Sequence, residues 1–111
     1  MYEYQAWLVK LVDGDTVHAG IDLGLDVATT QTLRFYGVNA PEMSTAAGKI
    51  SAAWVANWFT TLAPDGKFIL QTVKDKREKY GRYLAVIVSS DRVHNLNEEL
   101  VAAGQAVLYF P

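Results

Sequence analysis

The composition of the N-terminal third of the chain, together with its pattern of apolar and polar positions, predicts three successive β-strands. The segment YEYQAWLVKLV has a strand-like composition and runs into the turn signal Asp13-Gly14. The segments TVHAGIDL and QTLRFYGV each place apolar side chains at every second position, which is the period of a half-buried strand. The turn-rich segment GLDVATT connects them. Because these connections are short, we expect the three strands to form an antiparallel meander.

A helix is predicted after the third strand. The segment STAAGKISAAWVANWFTTL has helical periodicity, with Ser44 or Thr45 as its N-cap. Its apolar side chains form an arc that is wider than an ordinary amphipathic stripe. Packing of this arc against the sheet is the favoured interpretation. The alternative is a homo-oligomer surface that includes Trp54 and Trp58.

Two more strands, a short helix and a final extended segment follow. In chain order they are KFILQTV, RYLAVIVSS, NLNEELVAAG and QAVLYF. Gly104 is suited to end the short helix, because glycine adopts the left-handed conformation that often follows a helix C-terminus. The order of elements predicts a mainly β, α+β fold. We expect a five-stranded OB-fold barrel with a helix between strands three and four and a short C-terminal helix.

The length of 111 residues and a hydrophobic content of 50% predict a single domain over residues 1–111 with a modest core. The absence of cysteine excludes disulfides and thiolate metal sites. The N-terminus lacks the pattern of a signal peptide, and no segment approaches the roughly 18 apolar residues of a membrane span. We therefore expect a cytoplasmic protein with no membrane partner, and secretion stays open if a longer chain precedes this one.

The distribution of charge along the chain indicates an anionic ligand, whereas the net charge does not. A net charge of −2 argues against binding nucleic acid through the whole surface. The segment VKDKREKYGR, however, has five basic and two acidic residues. A local basic segment on an acidic body is typical of an anion-binding site, and a solvated loop is an equally good interpretation.

Oxygen-bearing side chains are expected to meet at one end of the barrel. In a meander, the start of the second strand lies beside the end of the third, so Asp15 lies near the turn from Asn39 to Glu42. The hairpin signal explains Asp13-Gly14 but not Asp15, because aspartate is disfavoured in strands. Hard cations such as Ca²⁺ bind carboxylate, amide and backbone carbonyl oxygens. The candidate ligands are Asp15, Asn39, the carbonyl of Ala40 and Glu42.

Two arginines add groups that are suited to bind phosphate. Arg34 lies in an otherwise apolar strand, and Arg82 comes directly before the fifth strand. Guanidinium groups and a hard cation neutralise charge on phosphate oxygens, while Glu42 is suited to orient or deprotonate water. The two histidines, His18 and His94, are isolated in the sequence and have no serine or cysteine partner. The set therefore predicts phosphodiester hydrolysis.

Four motifs, in this order and at compatible spacing, are VDGDTV, LRFYGVNAPE, EKYGRYLAVI and NLNEELVAAGQA. Together they resemble the staphylococcal nuclease (thermonuclease) family over nearly the whole chain. The resemblance implies an OB-fold and a Ca²⁺-dependent endonuclease of the thermonuclease type. Such an enzyme hydrolyses DNA and RNA with low sequence specificity, breaks the 5′ P–O bond and leaves 3′-phosphates. We expect it to prefer single strands.

The resemblance also implies roles for individual residues. The catalytic set comprises two phosphate-binding arginines and a general base, Arg34, Arg82 and Glu42. The Ca²⁺ ligands are Asp15, Asn39 and the backbone carbonyl of Ala40. The substrate-binding positions are Lys79, Tyr80 and Tyr109, with Phe110 competing for the place of Tyr109.

The sequence departs from the staphylococcal pattern in two respects that bear on function. Asn39 stands where the staphylococcal protein has aspartate. An amide oxygen still coordinates a cation, but the loss of one negative charge implies weaker Ca²⁺ binding. The connection from Asp15 to Arg34 is longer and the loop after Glu42 is shorter, which bears on substrate access more than on chemistry.

The alternative function is a catalytically weak or inactive OB-fold module that binds nucleic acid. OB barrels bind single strands through a basic groove and stacking aromatic side chains, and the chain offers Tyr36, Tyr80 and Tyr109. Degenerate copies of the nuclease domain tend to lose the two arginines and the glutamate. Because this sequence retains all three, the nuclease is the favoured interpretation.

Overall fold

Five β-strands close into a barrel in the computed structural model, which describes residues 2–77 and 81–110, the side chains of 74–77 excepted. The barrel strands are β1 (Tyr2–Asp13), β2 (Thr16–Gly24), β3 (Val27–Phe35), β5 (Lys67–Arg77) and β6 (Tyr83–Val88). The other elements are β4 (Val38–Asn39), helix α1 (Ala46–Leu62), helix α2 (Leu96–Ala102) and β7 (Val107–Leu108).

The connectivity is that of the OB-fold expected from the sequence. Strands β1, β2 and β3 form the predicted antiparallel meander. Strand β3 then pairs in parallel with β6, and β6 pairs with β5 and β5 with β1 in antiparallel fashion, which closes the barrel. Helix α1 lies between β3 and β5 in the chain. The predicted fold class is therefore confirmed.

Alternate side chains of the meander fill the barrel, as their period of two requires. The fully buried ones on β2 and β3 are Val17, Ala19, Leu33 and Phe35. Helix α1 adds Trp58, which is 3% exposed and whose Nε1 donates a hydrogen bond to Glu99 at 3.3 Å. Trp54 also packs against the core. Trp58 is thus unavailable as a partner surface, and the part of the apolar arc that contains Val55, Trp58 and Phe59 packs against the barrel, as the favoured interpretation has it.

Both helices begin and end close to the predicted signals. Thr45 caps α1, and its hydroxyl accepts a hydrogen bond from the backbone N–H of Gly48 at 3.0 Å. Asn95 caps α2, and Gly104 follows it with a φ of 74°, the left-handed conformation expected there. Within the described ranges, no helix has the length and apolar character needed to cross a membrane.

The connection between β2 and β3 is much shorter than predicted. The segment GLDVATT was expected to be a loop, but the strands continue into it and leave only Leu25 and Asp26 as the turn. These two residues have φ values of 54° and 61°. Two positive φ values in sequence are required by the type I′ hairpin turn, which normally contains Asn-Gly or Asp-Gly. Because Leu-Asp carries no such signal, the sequence pattern did not reveal this hairpin.

The third predicted strand also breaks earlier than its sequence pattern indicated. Gly37 has a φ of 78°, so the chain turns after β3 and forms the short strand β4, which pairs with β7. The carbonyl of Gly37 accepts a hydrogen bond from the N–H of Tyr109 at 2.8 Å. The ring of Phe110 covers Gly37 so closely that a Cβ there would lie 2.8 Å from it. The break therefore brings the C-terminal segment to the end of β3.

Helix α2 is tied to the barrel by one buried asparagine, Asn97, which is 5% exposed. Its Oδ1 accepts a hydrogen bond from the N–H of Ile87 at 3.1 Å. Its Nδ2 donates to the carbonyls of Tyr36 and Ala85, each at 2.9 Å. A single side chain thus joins α2, β6 and the turn that follows β3.

Candidate active site

A cleft of about 890 Å³ opens where the β1–β2 turn, the end of β3 and the C-terminal segment meet. Seven of the nine residues to which the sequence assigned a site role line it, namely Asp15, Arg34, Asn39, Ala40, Glu42, Arg82 and Tyr109. Two others, Lys79 and Tyr80, lie outside the described residues. The meander thus brings Asp15 and the turn from Asn39 to Glu42 to one end of the barrel, as the topology predicted.

Within this cleft, Asp15 links the β1–β2 turn to the end of β3 and to the turn after β4. It lies in the turn before β2 and is only 8% exposed. Its Oδ2 accepts a hydrogen bond from the N–H of Ala40 at 2.9 Å, and its Oδ1 accepts one from the hydroxyl of Thr16 at 3.0 Å. Its backbone carbonyl accepts a hydrogen bond from the N–H of Phe35 at 2.8 Å. The carboxylate therefore fixes the position of the turn after β4.

Gly14 allows this close approach. A Cβ at this position would lie 2.5 Å from Oγ of Ser51 on α1 and 2.9 Å from Cβ of Ala40. Ser51 is fully buried, and its hydroxyl donates to the carbonyl of Gln105 at 2.8 Å, so it has little freedom to move. A side chain at position 14 would push the β1–β2 turn, and Asp15 with it, away from Ala40.

Arg34 contacts two of the candidate metal ligands, Asp15 and Asn39. Its side chain is only 12% exposed, and its Nη1 donates to the backbone carbonyl of Phe35 at 3.0 Å. Its Nη2 donates to Oδ1 of Asn39 at 3.2 Å and lies 3.5 Å from Oδ2 of Asp15. The amide oxygen of Asn39 and the carboxylate of Asp15 therefore converge on a single cationic nitrogen.

Glu42 and Arg82 line the same cleft from two other segments. Glu42 is exposed and follows Pro41 in the turn between β4 and α1. Its backbone carbonyl accepts hydrogen bonds from the N–H of Thr45 at 3.0 Å and from the hydroxyl of Thr45 at 2.6 Å. Arg82 is partly buried and directly precedes β6, the parallel neighbour of the strand that carries Arg34. Arg34 on β3 and Arg82 just before β6 therefore reach the cleft from neighbouring parts of the barrel.

One wall of the cleft is aromatic. Tyr36 and Phe110 pack edge to face, with ring centroids 5.5 Å apart and an interplanar angle of 69°. Tyr109 and Phe110 are 50% and 63% exposed, respectively, and both line the cleft. Tyr109 and Phe110, the two candidates for one substrate-binding position, therefore lie at the same place, beside Tyr36.

Residues 32–111 match the family described as staphylococcal nuclease homologue. The chain belongs to this family. The resemblance that the four motifs indicated is thus confirmed. Asp15 precedes the matched range, but alignments to two relatives extend over nearly the entire chain.

These two relatives are longer proteins. Endonuclease YhcR of Bacillus subtilis (strain 168) is 30% identical over 119 residues, which covers 97% of this chain and 9% of that protein. Uncharacterized protein MJ1439 of Methanocaldococcus jannaschii is 28% identical over 123 residues, which covers 96% of this chain and 59% of that protein. The chain therefore spans less than two thirds of the length of either relative.

Asp13 also lines the cleft, and the sequence interpretation did not include it among the site residues. It was explained as part of a hairpin turn, yet it lines the cleft, and its Oδ1 accepts a hydrogen bond from the N–H of Asp15 at 3.0 Å. Burial raises the pKa of the Asp13 carboxyl above its usual value, and the neighbouring Asp15 adds to this effect. The spacing Asp-x-Asp before a strand was the signal that could have revealed it.

The oxygen donors of the cleft are of mixed type. Among residues 2–77 and 81–110, no group of three or more histidine, cysteine, aspartate or glutamate side chains is arranged to hold a metal ion. The ligands that the family resemblance implies are one carboxylate, one amide and one backbone carbonyl, from Asp15, Asn39 and Ala40. Neither histidine lines the cleft. His18 is hydrogen-bonded to Thr32, and His94 to Glu99.

Proposed function

We propose that the chain is a metal-dependent nuclease that hydrolyses phosphodiester bonds of DNA and RNA. The observation that carries this proposal is the pairing of Arg34 with Asp15 and Asn39 in a cleft that Arg82 and Glu42 also line. Membership of the staphylococcal nuclease homologue family and the similarity to a protein named endonuclease support it. An aromatic wall suits bases of any identity, which favours low sequence specificity and single-stranded substrates.

Ca²⁺ is the cofactor that we propose for this cleft. The oxygens of Asp15 and Asn39 already face one cationic nitrogen, so both can face one metal ion. Carboxylate, amide and backbone carbonyl oxygens are the donors that Ca²⁺ prefers, and Ala40 would supply the carbonyl. Burial is the main cause of the raised pKa of the Asp13 carboxyl and the neighbouring Asp15 adds to it, and a cation nearby would favour the charged form of both carboxyls. The donor set therefore fits a hard divalent ion.

In the proposed mechanism, Arg34 and Arg82 bind the non-bridging phosphate oxygens and stabilise the charge that grows on them. Glu42 accepts a proton from the water that attacks phosphorus. The bond from phosphorus to the 5′ oxygen then breaks, which leaves a 3′-phosphate and, after protonation from solvent, a 5′-hydroxyl. The metal would supply Lewis-acid polarisation of the phosphate.

Substrate contacts complete the proposal. Tyr109, next to Phe110 and Tyr36, is exposed and would stack on a base. Lys79 and Tyr80 are proposed to contact the phosphate near the scissile bond, on the strength of their matching family positions. Base stacking is sequence-tolerant because every base has a π-face.

The first test is cleavage of single-stranded DNA in Ca²⁺ and in EDTA, with Glu42→Gln as the key variant. We expect the wild-type chain to cleave in Ca²⁺ and to lose activity in EDTA. Glu42→Gln should lower the rate by about 10²- to 10⁴-fold, because general base catalysis contributes this much. The side chain is exposed, so folding should be unaffected.

Glu98→Gln is the matched control, since Glu98 is an exposed glutamate on α2 that does not line the cleft. It should cleave at the wild-type rate. Unchanged cleavage by Glu42→Gln would contradict the role of Glu42. Binding of single strands in EDTA, without cleavage in Ca²⁺, would favour the alternative of a non-catalytic binding module.

Asn39→Asp is expected to lower the Ca²⁺ concentration required for half-maximal cleavage by roughly tenfold. The added negative charge attracts the ion and the neighbouring Arg34 moderates the gain; a tenfold change corresponds to about 1.4 kcal/mol. The measurement is a Ca²⁺ titration of cleavage rate. The control is Asn57→Asp, the same change at an exposed position of α1, which should leave the titration unchanged. A higher Ca²⁺ requirement for Asn39→Asp would count against Asn39 as a ligand.

A further inference from the structure

The N-terminus of α1 holds the backbone of Glu42. The N–H and the hydroxyl of Thr45 both donate to the carbonyl oxygen of Glu42, at 3.0 and 2.6 Å. The same hydroxyl accepts a hydrogen bond from the N–H of Gly48 at 3.0 Å. Glu42 is therefore coupled to the first turn of the helix through its main chain.

Gly48 brings this turn into unusually close contact with Glu42. A Cβ at position 48 would lie 1.8 Å from the carbonyl oxygen of Glu42, 2.4 Å from its carbonyl carbon and 2.9 Å from the N of Met43. The atoms in the way belong to the backbone and cannot rotate aside. Gly48 is absent from the glycines with positive φ, so its conformation does not require glycine. Glycine is unfavourable inside a helix, and the close contact is the feature that explains it here.

The side chain of Glu42 has little else to fix its position. It is exposed, and in the part of the chain that the structure describes no hydrogen bond or ion pair holds its carboxylate. The direction of the side chain into the cleft is consequently set by its backbone, which Gly48 and Thr45 contact.

We propose that Gly48 is a positioning residue for Glu42, because it alone allows α1 to pack against the Glu42 main chain. A side chain at position 48 would displace Glu42 from the cleft without touching Arg34, Arg82 or Asp15. The structural part of this inference is independent of function, whereas its catalytic part rests on the nuclease function proposed above.

The activity test is Gly48→Ala, alone and combined with Glu42→Gln. We expect kcat to fall by about 10²-fold, since a displacement of about 1 Å can cost this much. KM and the Ca²⁺ titration should change little, because the phosphate-binding and metal-binding residues stay in place. In the Glu42→Gln background, Gly48→Ala should cause no further loss, since residues that act as a unit are non-additive. If Gly48→Ala lowered kcat by the same factor in the Glu42→Gln background as in the wild-type chain, the proposal would be overturned.

The control is Ala47→Ser, which adds one atom in the same helical turn but at an exposed position. It should leave kcat unchanged. If Gly48→Ala does not fold, as judged by circular dichroism, Thr45→Val replaces it, because this change removes the hydroxyl bond to Glu42. Thr45→Val should likewise lower kcat only when Glu42 is present, and a loss that is the same with Gln at position 42 would overturn the proposal.

A structural readout separates this inference from the proposed function. The amide resonances of Glu42, Met43 and Thr45 should shift in Gly48→Ala, and the N–H of Thr45 should exchange faster with solvent, while Ala47→Ser leaves both unchanged. Absence of cleavage by the wild-type chain would refute the nuclease function only. Unchanged resonances at Glu42 in folded Gly48→Ala would refute the positioning role whether or not the chain cleaves DNA.

Discussion

Replacing Arg34 by alanine is expected to lower the rate of phosphodiester cleavage by about a thousandfold or more. Loss of one preorganised donor typically costs about 10²- to 10³-fold, and loss of an arginine on a transferring phosphate about 10³- to 10⁵-fold. Arg34 also orders the site itself, because it contacts Asp15, Asn39 and Phe35 at once. Its removal should therefore raise KM, lower kcat and disturb the metal ligands together. Steady-state cleavage of a short single-stranded oligonucleotide would measure KM and kcat, and the same assay over a range of Ca²⁺ concentrations would report on the metal ligands.

Two further arginine variants make this test specific. Arg34→Lys keeps the charge but loses the planar fork that contacts several oxygens, so it should recover only a small part of the activity. Arg92→Ala removes an exposed arginine that pairs with Glu3 away from the cleft, and it should cleave at the wild-type rate. Thermal unfolding would show whether Arg34→Ala remains folded. Activity within tenfold of wild type in a folded Arg34→Ala protein would contradict the proposed role of Arg34.

The convergence of the candidate site residues could be predicted because it depends on local pattern and simple topology. Alternating polarity identified the second and third strands of the meander, composition identified the first, and a meander places the start of β2 beside the end of β3. Asp15 and Asn39 meet for this reason, and the structure pairs Thr16 with Arg34 in adjacent strands. The barrel closure by β6 followed from the number of strands and the position of the helix, which OB barrels share.

Other features of the cleft depend on contacts between distant segments, which periodicity does not encode. The end of β3 breaks at Gly37 because the C-terminal segment pairs there, about 70 residues later in the chain. The contact between Arg34 and Asn39 requires the turn after β4 to fold back, which the side-chain types alone do not predict. Gly48 gave no signal either, since a glycine in a helical pattern is normally tolerated at a cost. Its reason became visible only when the backbone of Glu42 was seen against it.

Replacing Asn97 by alanine is expected to lower the free energy of unfolding by about 3 kcal/mol or more, which makes it the largest predicted change in stability. Its amide forms three hydrogen bonds, to Ile87, Tyr36 and Ala85. The carbonyl of Ala85 keeps a second partner, the N–H of Tyr36 at 2.8 Å. The N–H of Ile87 and the carbonyl of Tyr36 would each lose the bond to Asn97, and a buried polar group left unsatisfied costs about 1–3 kcal/mol. A cavity in place of the side chain adds to this loss.

The measurement is equilibrium unfolding in urea, with Asn57→Ala as the matched control. Asn57 is an exposed asparagine on α1, so the same substitution there should change the free energy of unfolding by no more than about 0.5 kcal/mol. Asn97→Asp retains an acceptor for the N–H of Ile87 but loses the donor to Tyr36, and it also buries a charge, so it should not restore stability. A loss below about 1 kcal/mol for Asn97→Ala would mean that water or local rearrangement satisfies these backbone groups. In that case α2 would be held mainly by its apolar side chains, Leu96 and Leu100, which are fully buried.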